Sequence, residues 1–161
     1  MKKLLFLFCL LSWSVLHAQK TINRPPFIAK ATETIEIAAI HLSDTATVVD
    51  VDAKFIPKNW IRIAPATCLV ADNGERYQVR QGVGIELGQE FWMPESGEAT
   101  FSLIFPPLPA SVKSFDFVEG EGERDFNLFG ISLIGKLPKL QLPKDLGKAG
   151  KATAVALPTP E

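Results

Sequence analysis

The most reactive side chain of this sequence is Cys68, in the stretch KNWIRIAPATCLVADNGERYQV (58–79). A catalytic or redox thiol needs a lowered pKa, which comes from a helix N-terminus or a cationic neighbour. Cys68 instead lies in a predicted strand, with Leu69 and Val70 after it, so a buried small apolar residue is the favoured interpretation. The other cysteine, Cys9, lies in an N-terminal segment that we expect to be removed. The sequence has no Cys-x-x-Cys, which excludes thioredoxin-type dithiol chemistry within the chain and leaves Cys68 as a candidate free thiol.

A histidine and two aspartates are the candidates for acid–base or metal chemistry. The second histidine, His17, lies in the same removable segment, which leaves His41 alone. A zinc site usually takes several His or Cys ligands, and no Gly-x-Ser-x-Gly motif is present to complete a hydrolase site around His41. Asp50 and Asp52 share the polar face of one predicted strand, where carboxylates more often keep a sheet face soluble than perform catalysis. We therefore predict no catalytic residue, no metal and no cofactor.

Two further segments are candidates for binding, one for a metal ion and the other for a partner or ligand. The acidic segment EGEGERD (119–125) could gather carboxylates around Ca²⁺, but it matches no EF-hand loop and a solvated hairpin tip has the same composition. The segment EFWMPESGE (90–98) could present Phe91 and Trp92 as an interaction surface, or it could fold onto the core. The sequence leaves both interpretations of the second segment open.

These candidates must be positioned by strands, because alternation of apolar and polar residues dominates the chain. A period of two places one set of side chains on each face of a strand, with one face buried and the other wet. The apolar members of the alternating runs are Ile35, Ile37; Val49, Val51, Ala53, Phe55; Ile61, Ile63; Tyr77, Val79; Phe101, Leu103, Phe105; Phe115, Phe117; Phe129, Ile131 and Leu133.

Turn signals separate the runs and favour an antiparallel β-sandwich. DNG (72–74) supplies the positive φ values of a tight hairpin, and PESG (94–97) is a second turn. Seven or eight short strands with regular turns predict an immunoglobulin-like sandwich, for which Trp60 is a candidate core anchor. We assign this domain to residues 19–135 and a flexible tail, rich in Lys and Pro, to residues 136–161.

The N-terminus has the pattern of a Sec signal peptide. Lys2 and Lys3 precede a short apolar run, and the expected cleavage site lies between residues 18 and 19, which gives an exported protein of the periplasm or the exterior. Cleavage removes two of the 17 basic residues, so 15 remain against 18 acidic residues, a formal charge of −3. We therefore expect no nucleic-acid partner, which calls for a basic face, and no transmembrane segment in the cleaved chain.

The stretches RPPF, TATVVD, PKNWIRI, GIEL, FWMPESGEATFSLIFPPLP, FDFVEG and LFGISL together resemble an immunoglobulin-like domain of secreted Bacteroidota proteins. The resemblance covers residues 24 to 133. In some of those proteins the domain precedes a thioredoxin-like module, which is missing here. The resemblance transfers no catalytic residue and implies at most a scaffold role beside a redox partner. The tripeptide DTA (44–46) is similar to a short O-glycosylation motif of that group, which makes Thr45 a candidate modification site.

From these observations we expect a non-enzymatic exported β-sandwich that contacts another protein of the cell envelope as an interaction or scaffold module. A carbohydrate or small-ligand module that uses Phe91 and Trp92 as its platform is the second hypothesis. The third is a redox accessory that acts with thioredoxin-like proteins through Cys68.

Overall fold

The computed structural model describes residues 19–120, 122 and 125–137, and within them the chain forms twelve β-strands and no helix. The prediction of an all-β fold is confirmed for these residues. Within the same residues, no helix is long and apolar enough to cross a membrane. The strands are β1 (Lys20–Asn23), β2 (Ala29–Lys30), β3 (Ile35–Leu42), β4 (Thr47–Lys54), β5 (Trp60–Ile61), β6 (Cys68–Ala71), β7 (Arg76–Gln78), β8 (Gln81–Val83), β9 (Phe91–Trp92), β10 (Glu98–Phe105), β11 (Ser114–Val118) and β12 (Asn127–Ser132).

The strands form two five-stranded sheets and a two-stranded ribbon, and all the pairings are antiparallel. The first sheet has the order β1-β3-β4-β10-β8, and the second has the order β2-β12-β11-β6-β7. The ribbon consists of β5 and β9. The three eight-residue strands β3, β4 and β10 are neighbours in the first sheet, and their buried faces are rich in β-branched and aromatic residues. The alternation is regular in β4, whereas the pairing of β3 with β4 shifts register between Ile37 and Ala39.

The two sheets share one hydrophobic core, as in a β-sandwich. Phe105 of the first sheet and Phe117 of the second are both fully buried, and their rings meet edge to face with centroids 6.4 Å apart. Alternating residues of both sheets line the same cluster, which includes Ile35, Ile40, Val49, Val51, Leu69, Leu103, Phe115, Leu128 and Ile131. Burial of these side chains is the main force that holds the two sheets together.

The number of strands differs from the prediction, since the described residues contain twelve strands rather than seven or eight. The additional strands are short, and β2, β5 and β9 have two residues each. A two-residue pairing is too short to produce an alternation pattern, so the sequence gives no signal for it.

Two residues expected on buried faces are exposed. Phe55 was predicted to continue the buried face of Val49, Val51 and Ala53, but it follows the end of β4 at Lys54 and is 36% exposed.

Phe129 was predicted to share the buried face of Ile131, but Phe129 is 39% exposed and Ile131 is fully buried. The pairing of β11 with β12 shifts register at this point, and Gly130 adopts a φ of 65°. The backbone N–H of Gly130 donates to Asp116 Oδ1 at 2.6 Å, which holds this bulge open. A bulge inserts one residue into a strand, so the faces exchange on either side of it.

Candidate functional site

Two tryptophans lie opposite each other on the ribbon that neither sheet contains. Trp60 pairs with Trp92, and Ile61 pairs with Phe91. Directly opposed residues share a face of an antiparallel pair, so the ribbon has an aromatic outer face and an apolar inner face. Trp60 is 43% exposed and Trp92 is 60% exposed, whereas Ile61 is buried and Phe91 is half-buried with its ring 6.4 Å from that of Phe101.

The exposure of Trp60 corrects its interpretation as a core anchor. Ile61 and Ile63 are 3% and 0% exposed. Strand alternation then requires Trp60 and Arg62 to lie on the opposite face, toward solvent. The same alternation was available in the sequence, so this pair of outward residues is one that sequence reasoning missed. The structure also places the two residues of the predicted platform on opposite faces, because Trp92 is exposed and Phe91 packs against the core.

Backbone hydrogen bonds join the segment after β4, which leads into β5, to the segment between β9 and β10. Phe55 N–H donates to Gly97 O at 2.9 Å, and Met93 N–H donates to Asn59 O at 2.8 Å. Gly97 has a φ of 69°, and a Cβ built on it would lie 2.6 Å from Phe55 O. Only glycine fits at this close approach. As a result, four exposed apolar side chains lie on the joined segments, and we refer to Phe55, Ile56, Trp60 and Trp92 as the aromatic end.

A cleft of about 800 Å³ opens beside Trp60. Three parts of the chain that are distant in sequence line it, namely residues 31–34, residues 55, 59–62 and 64, and residues 119, 125 and 126. The aromatic side chains in the cleft are Phe55, Trp60 and Phe126, and the polar ones are Thr32, Glu33, Thr34, Asn59, Arg62, Glu119 and Asp125.

Glu119 fastens two walls of the cleft to each other. Its carboxylate accepts the backbone N–H of Ala64 at 2.7 Å and that of Phe126 at 2.8 Å. The side chain of Asn127 holds the same loop, because it accepts Glu119 N–H at 2.9 Å and donates to Gly120 O. Burial raises the pKa of Glu119, and this effect outweighs the two N–H groups, which lower it.

Within the acidic segment, Glu119 therefore has a structural role, because it holds the loop by hydrogen bonds. Glu121 and Glu123 lie outside the described residues, and Asp125 Oδ2 accepts Gly122 N–H at 2.7 Å. Among the described residues, no group of three or more His, Cys, Asp or Glu side chains is arranged to hold a metal ion.

His41 and Asp50 belong to a chain of hydrogen bonds across the outer face of the first sheet. His41 Nε2 lies 2.7 Å from Asp50 Oδ2, and Thr21 Oγ1 lies 3.0 Å from His41 Nδ1. Ser102 Oγ donates to Asp50 Oδ1 at 2.7 Å. Burial acts to raise the pKa of Asp50, but the bonds from Ser102 and His41 together lower it below its ordinary value. Four strands thus contribute one side chain each to this network.

The order of atoms from Thr21 through His41 to Asp50 is that of a hydroxyl–imidazole–carboxylate triad. Such a triad also needs backbone N–H groups aimed at the developing oxyanion. Residues 21, 41 and 50 are inside paired strands, where N–H groups lie in the plane of the sheet and bond neighbouring strands. What these hydrogen bonds do in the fold is link side chains of the four neighbouring strands β1, β3, β4 and β10. Asp52, the second aspartate of this face, has Arg24 Nη2 3.4 Å from its Oδ2.

Cys68 is buried, but it does not face the core between the sheets. Leu69 and Ala71 belong to the core cluster, so alternation places Cys68 and Val70 on the outer face of the second sheet. Cys68 is nevertheless only 4% exposed, and Arg76 Nη2 donates to its Sγ at 3.4 Å. The guanidinium of Arg76 thus covers the thiol on the outside of the sheet.

We expect Cys68 to alkylate slowly in the folded chain and faster once Arg76 is removed. In Arg76→Ala the iodoacetamide rate should rise roughly fivefold, because a hydrogen bond of about 1 kcal/mol no longer opposes local opening. Mass spectrometry of timed samples measures the rate, and Arg80→Ala, which removes an exposed arginine four residues further along the chain, serves as the control. Wild-type alkylation as fast as in denaturant would show that the thiol is accessible.

The last candidate residue of the sequence analysis, Thr45, lies in a turn. Thr45 is exposed in the turn between β3 and β4, where Ser43 N–H donates to Ala46 O and Ser43 Oγ lies 3.2 Å from Thr45 Oγ1. The predicted signal peptide (1–18) and residues 138–161 of the predicted tail lie outside the described residues.

Comparison of the chain with protein-family models, with curated proteins and with solved structures finds no match.

Proposed function

We propose that this chain is an exported, non-enzymatic recognition module that binds a component of the cell envelope through its aromatic end. The observation that carries the proposal is the pair Trp60 and Trp92, held side by side on one outward face. Tryptophan is enriched among the residues that dominate binding energy, since it offers a large rigid surface at low entropic cost. Two of them exposed together on a braced ribbon indicate a surface that becomes covered on binding.

The order of the strands supports an immunoglobulin-like type for this module. Strands β3-β4-β10-β8 follow the A-B-E-D order of such sandwiches, and β12-β11-β6-β7 follow the order G-F-C-C′. In this correspondence the chain passes from the second sheet to the first between β7 and β8. The strands β1 and β2 are additions at the outer edges of the two sheets.

The N-terminal sequence supports export. Its basic start and short apolar run are those of a Sec signal, and cleavage after residue 18 would leave β1 intact, since β1 begins at Lys20. An envelope location would bring the aromatic end within reach of membrane-associated proteins and surface polymers.

The double variant Trp60→Ala/Trp92→Ala should lose most of its binding to envelope fragments. We expect at least about tenfold less bound protein, because two anchors are removed together. Sedimentation of the mature chain with isolated envelopes from its source measures this binding. The matched control is Val83→Ala/Ile134→Ala, which removes two exposed apolar side chains elsewhere. Equal binding by the wild type and the tryptophan variant would refute the proposal, as would no wild-type binding.

A further inference from the structure

We infer that the cleft beside Trp60 binds a neutral saccharide. This inference rests on the proposed function and names the chemical class of the envelope component. The volume of about 800 Å³ lies within the roughly 300–1,000 Å³ of small-molecule sites. A cleft of this size takes a short polymer segment or a side chain, whereas a globular partner would need a wider and flatter surface.

The aromatic groups of the cleft suit the apolar faces of sugar rings. Phe55 and Trp60 are 36% and 43% exposed, so each presents part of its ring to the opening. Phe126 adds a third ring from the loop that Glu119 fastens. A pyranose has one face of C–H groups that buries well against an aromatic plane, and its hydroxyls project around the edge.

The polar groups of the cleft suit those hydroxyls, which both donate and accept hydrogen bonds. Within the described part of the chain, the side chains of Asn59 and Arg62 are exposed and make no hydrogen bond, so their N–H groups can donate to a ligand, while the charge of Arg62 also acts on the Glu119 carboxyl group. Acceptors come from the Asn59 amide oxygen and the Asp125 carboxylate. Donors and acceptors together beside exposed rings distinguish this cleft from a purely apolar groove.

The charges of the cleft argue against an anionic ligand. Among the described residues that line it, Arg62 is the one cation, and the carboxyl groups of Glu33, Glu119 and Asp125 surround the same space. The nearby Lys30 is already engaged, with its Nζ 2.7 Å from Glu33 Oε2 and 3.2 Å from Glu36 Oε1. A phosphate or polyuronate would meet more negative than positive charge, whereas a neutral sugar has no such penalty.

The first test is calorimetry of the mature chain with neutral hexose oligosaccharides, such as maltohexaose, cellohexaose and an α-mannan fragment, with heparin as the anionic comparison. Trp60→Ala and Asn59→Ala should weaken binding by at least about tenfold. Phe129→Ala is the control, because it removes an aromatic ring of similar exposure, 39%, that lies outside both the cleft and the aromatic end, and it should keep the wild-type affinity. Asn59→Ala tests the inference without removal of a ring. Equal loss in all three variants would overturn it.

The second test separates this inference from the proposed function. Envelope fragments are treated either with periodate, which destroys sugar diols, or with a protease, and sedimentation is repeated. Loss of binding after periodate alone supports a saccharide. In the opposite outcome, binding is lost after protease alone, while binding to untreated envelopes still depends on Trp60 and Trp92. That result would overturn the inference of a saccharide ligand and would indicate a protein partner. Absence of tryptophan-dependent binding to untreated envelopes would overturn both.

Discussion

Replacement of Phe117 by alanine is expected to lower the free energy of unfolding by about 3–5 kcal/mol. The Phe117 side chain is fully buried between the sheets and meets Phe105 edge to face. Its removal leaves a cavity at the contact between β11 and β10, and the paired strands on each side limit how far the core can collapse into it. Urea unfolding followed by circular dichroism measures the change.

The matched control for this prediction is Phe129→Ala. Phe129 is on the strand next to that of Phe117 and has the same side chain, but it is 39% exposed on the outer face. We expect a loss of about 1 kcal/mol or less there, since little surface leaves the core. Similar losses for the two variants would mean that the second sheet does not have one buried and one solvated face.

The sequence predicted the sheets well because the signal is local. The alternation of Val49, Val51 and Ala53 needs no knowledge of the partner strand, since a period of two is a property of one strand. All three are buried on the inner face of β4. The hairpin at Gly74 was equally accessible, because its φ of 84° is one that glycine adopts readily.

The candidate site was less accessible because it depends on distant segments. The cleft is formed where residues 31–34, residues 55, 59–62 and 64, and residues 119, 125 and 126 meet, and no local pattern brings them together. The role of Glu119 depends on Ala64, which is 55 residues away in the chain. The composition of the acidic segment (119–125) indicated a solvated hairpin tip, and only the fold shows that the Glu119 side chain is buried. Trp60 is different, since its outward position follows from the burial of Ile61 and Ile63.

A similar limit explains the outer faces of the two sheets. Strand parity located Cys68 beside Val70 on one face, but its cover by Arg76 comes from the next strand across the hairpin. The link between His41 and Asp50 likewise joins two strands, while Ser102 reaches the same carboxylate from 52 residues away. Alternation assigns a residue to a face, and register between strands decides which neighbours it finds there.

The second large effect is expected from Glu119→Ala, which should lower the free energy of unfolding by about 2–4 kcal/mol. The change leaves the backbone N–H groups of Ala64 and Phe126 without their acceptor and releases the loop from the wall of the cleft. Glu98→Ala is the control, because the Glu98 ion pair with Lys54 is exposed on both sides and should contribute about 0–1 kcal/mol. Equal losses in the two variants would show that Glu119 does not fasten the loop.

The same carboxyl group predicts a pH dependence whose sign can be tested with Glu119→Gln. Burial raises the pKa of Glu119 above its ordinary value of 4.5, so the folded chain holds this proton more tightly than the unfolded chain does. Its contribution to stability is then present in full below the unfolded pKa and is lost as the pH rises through the folded pKa. The stability advantage of the wild type over Glu119→Gln should therefore be larger at about pH 4 than at about pH 7. An advantage that grows with pH would mean that the two N–H groups outweigh burial and that the carboxylate is stabilised in its charged form.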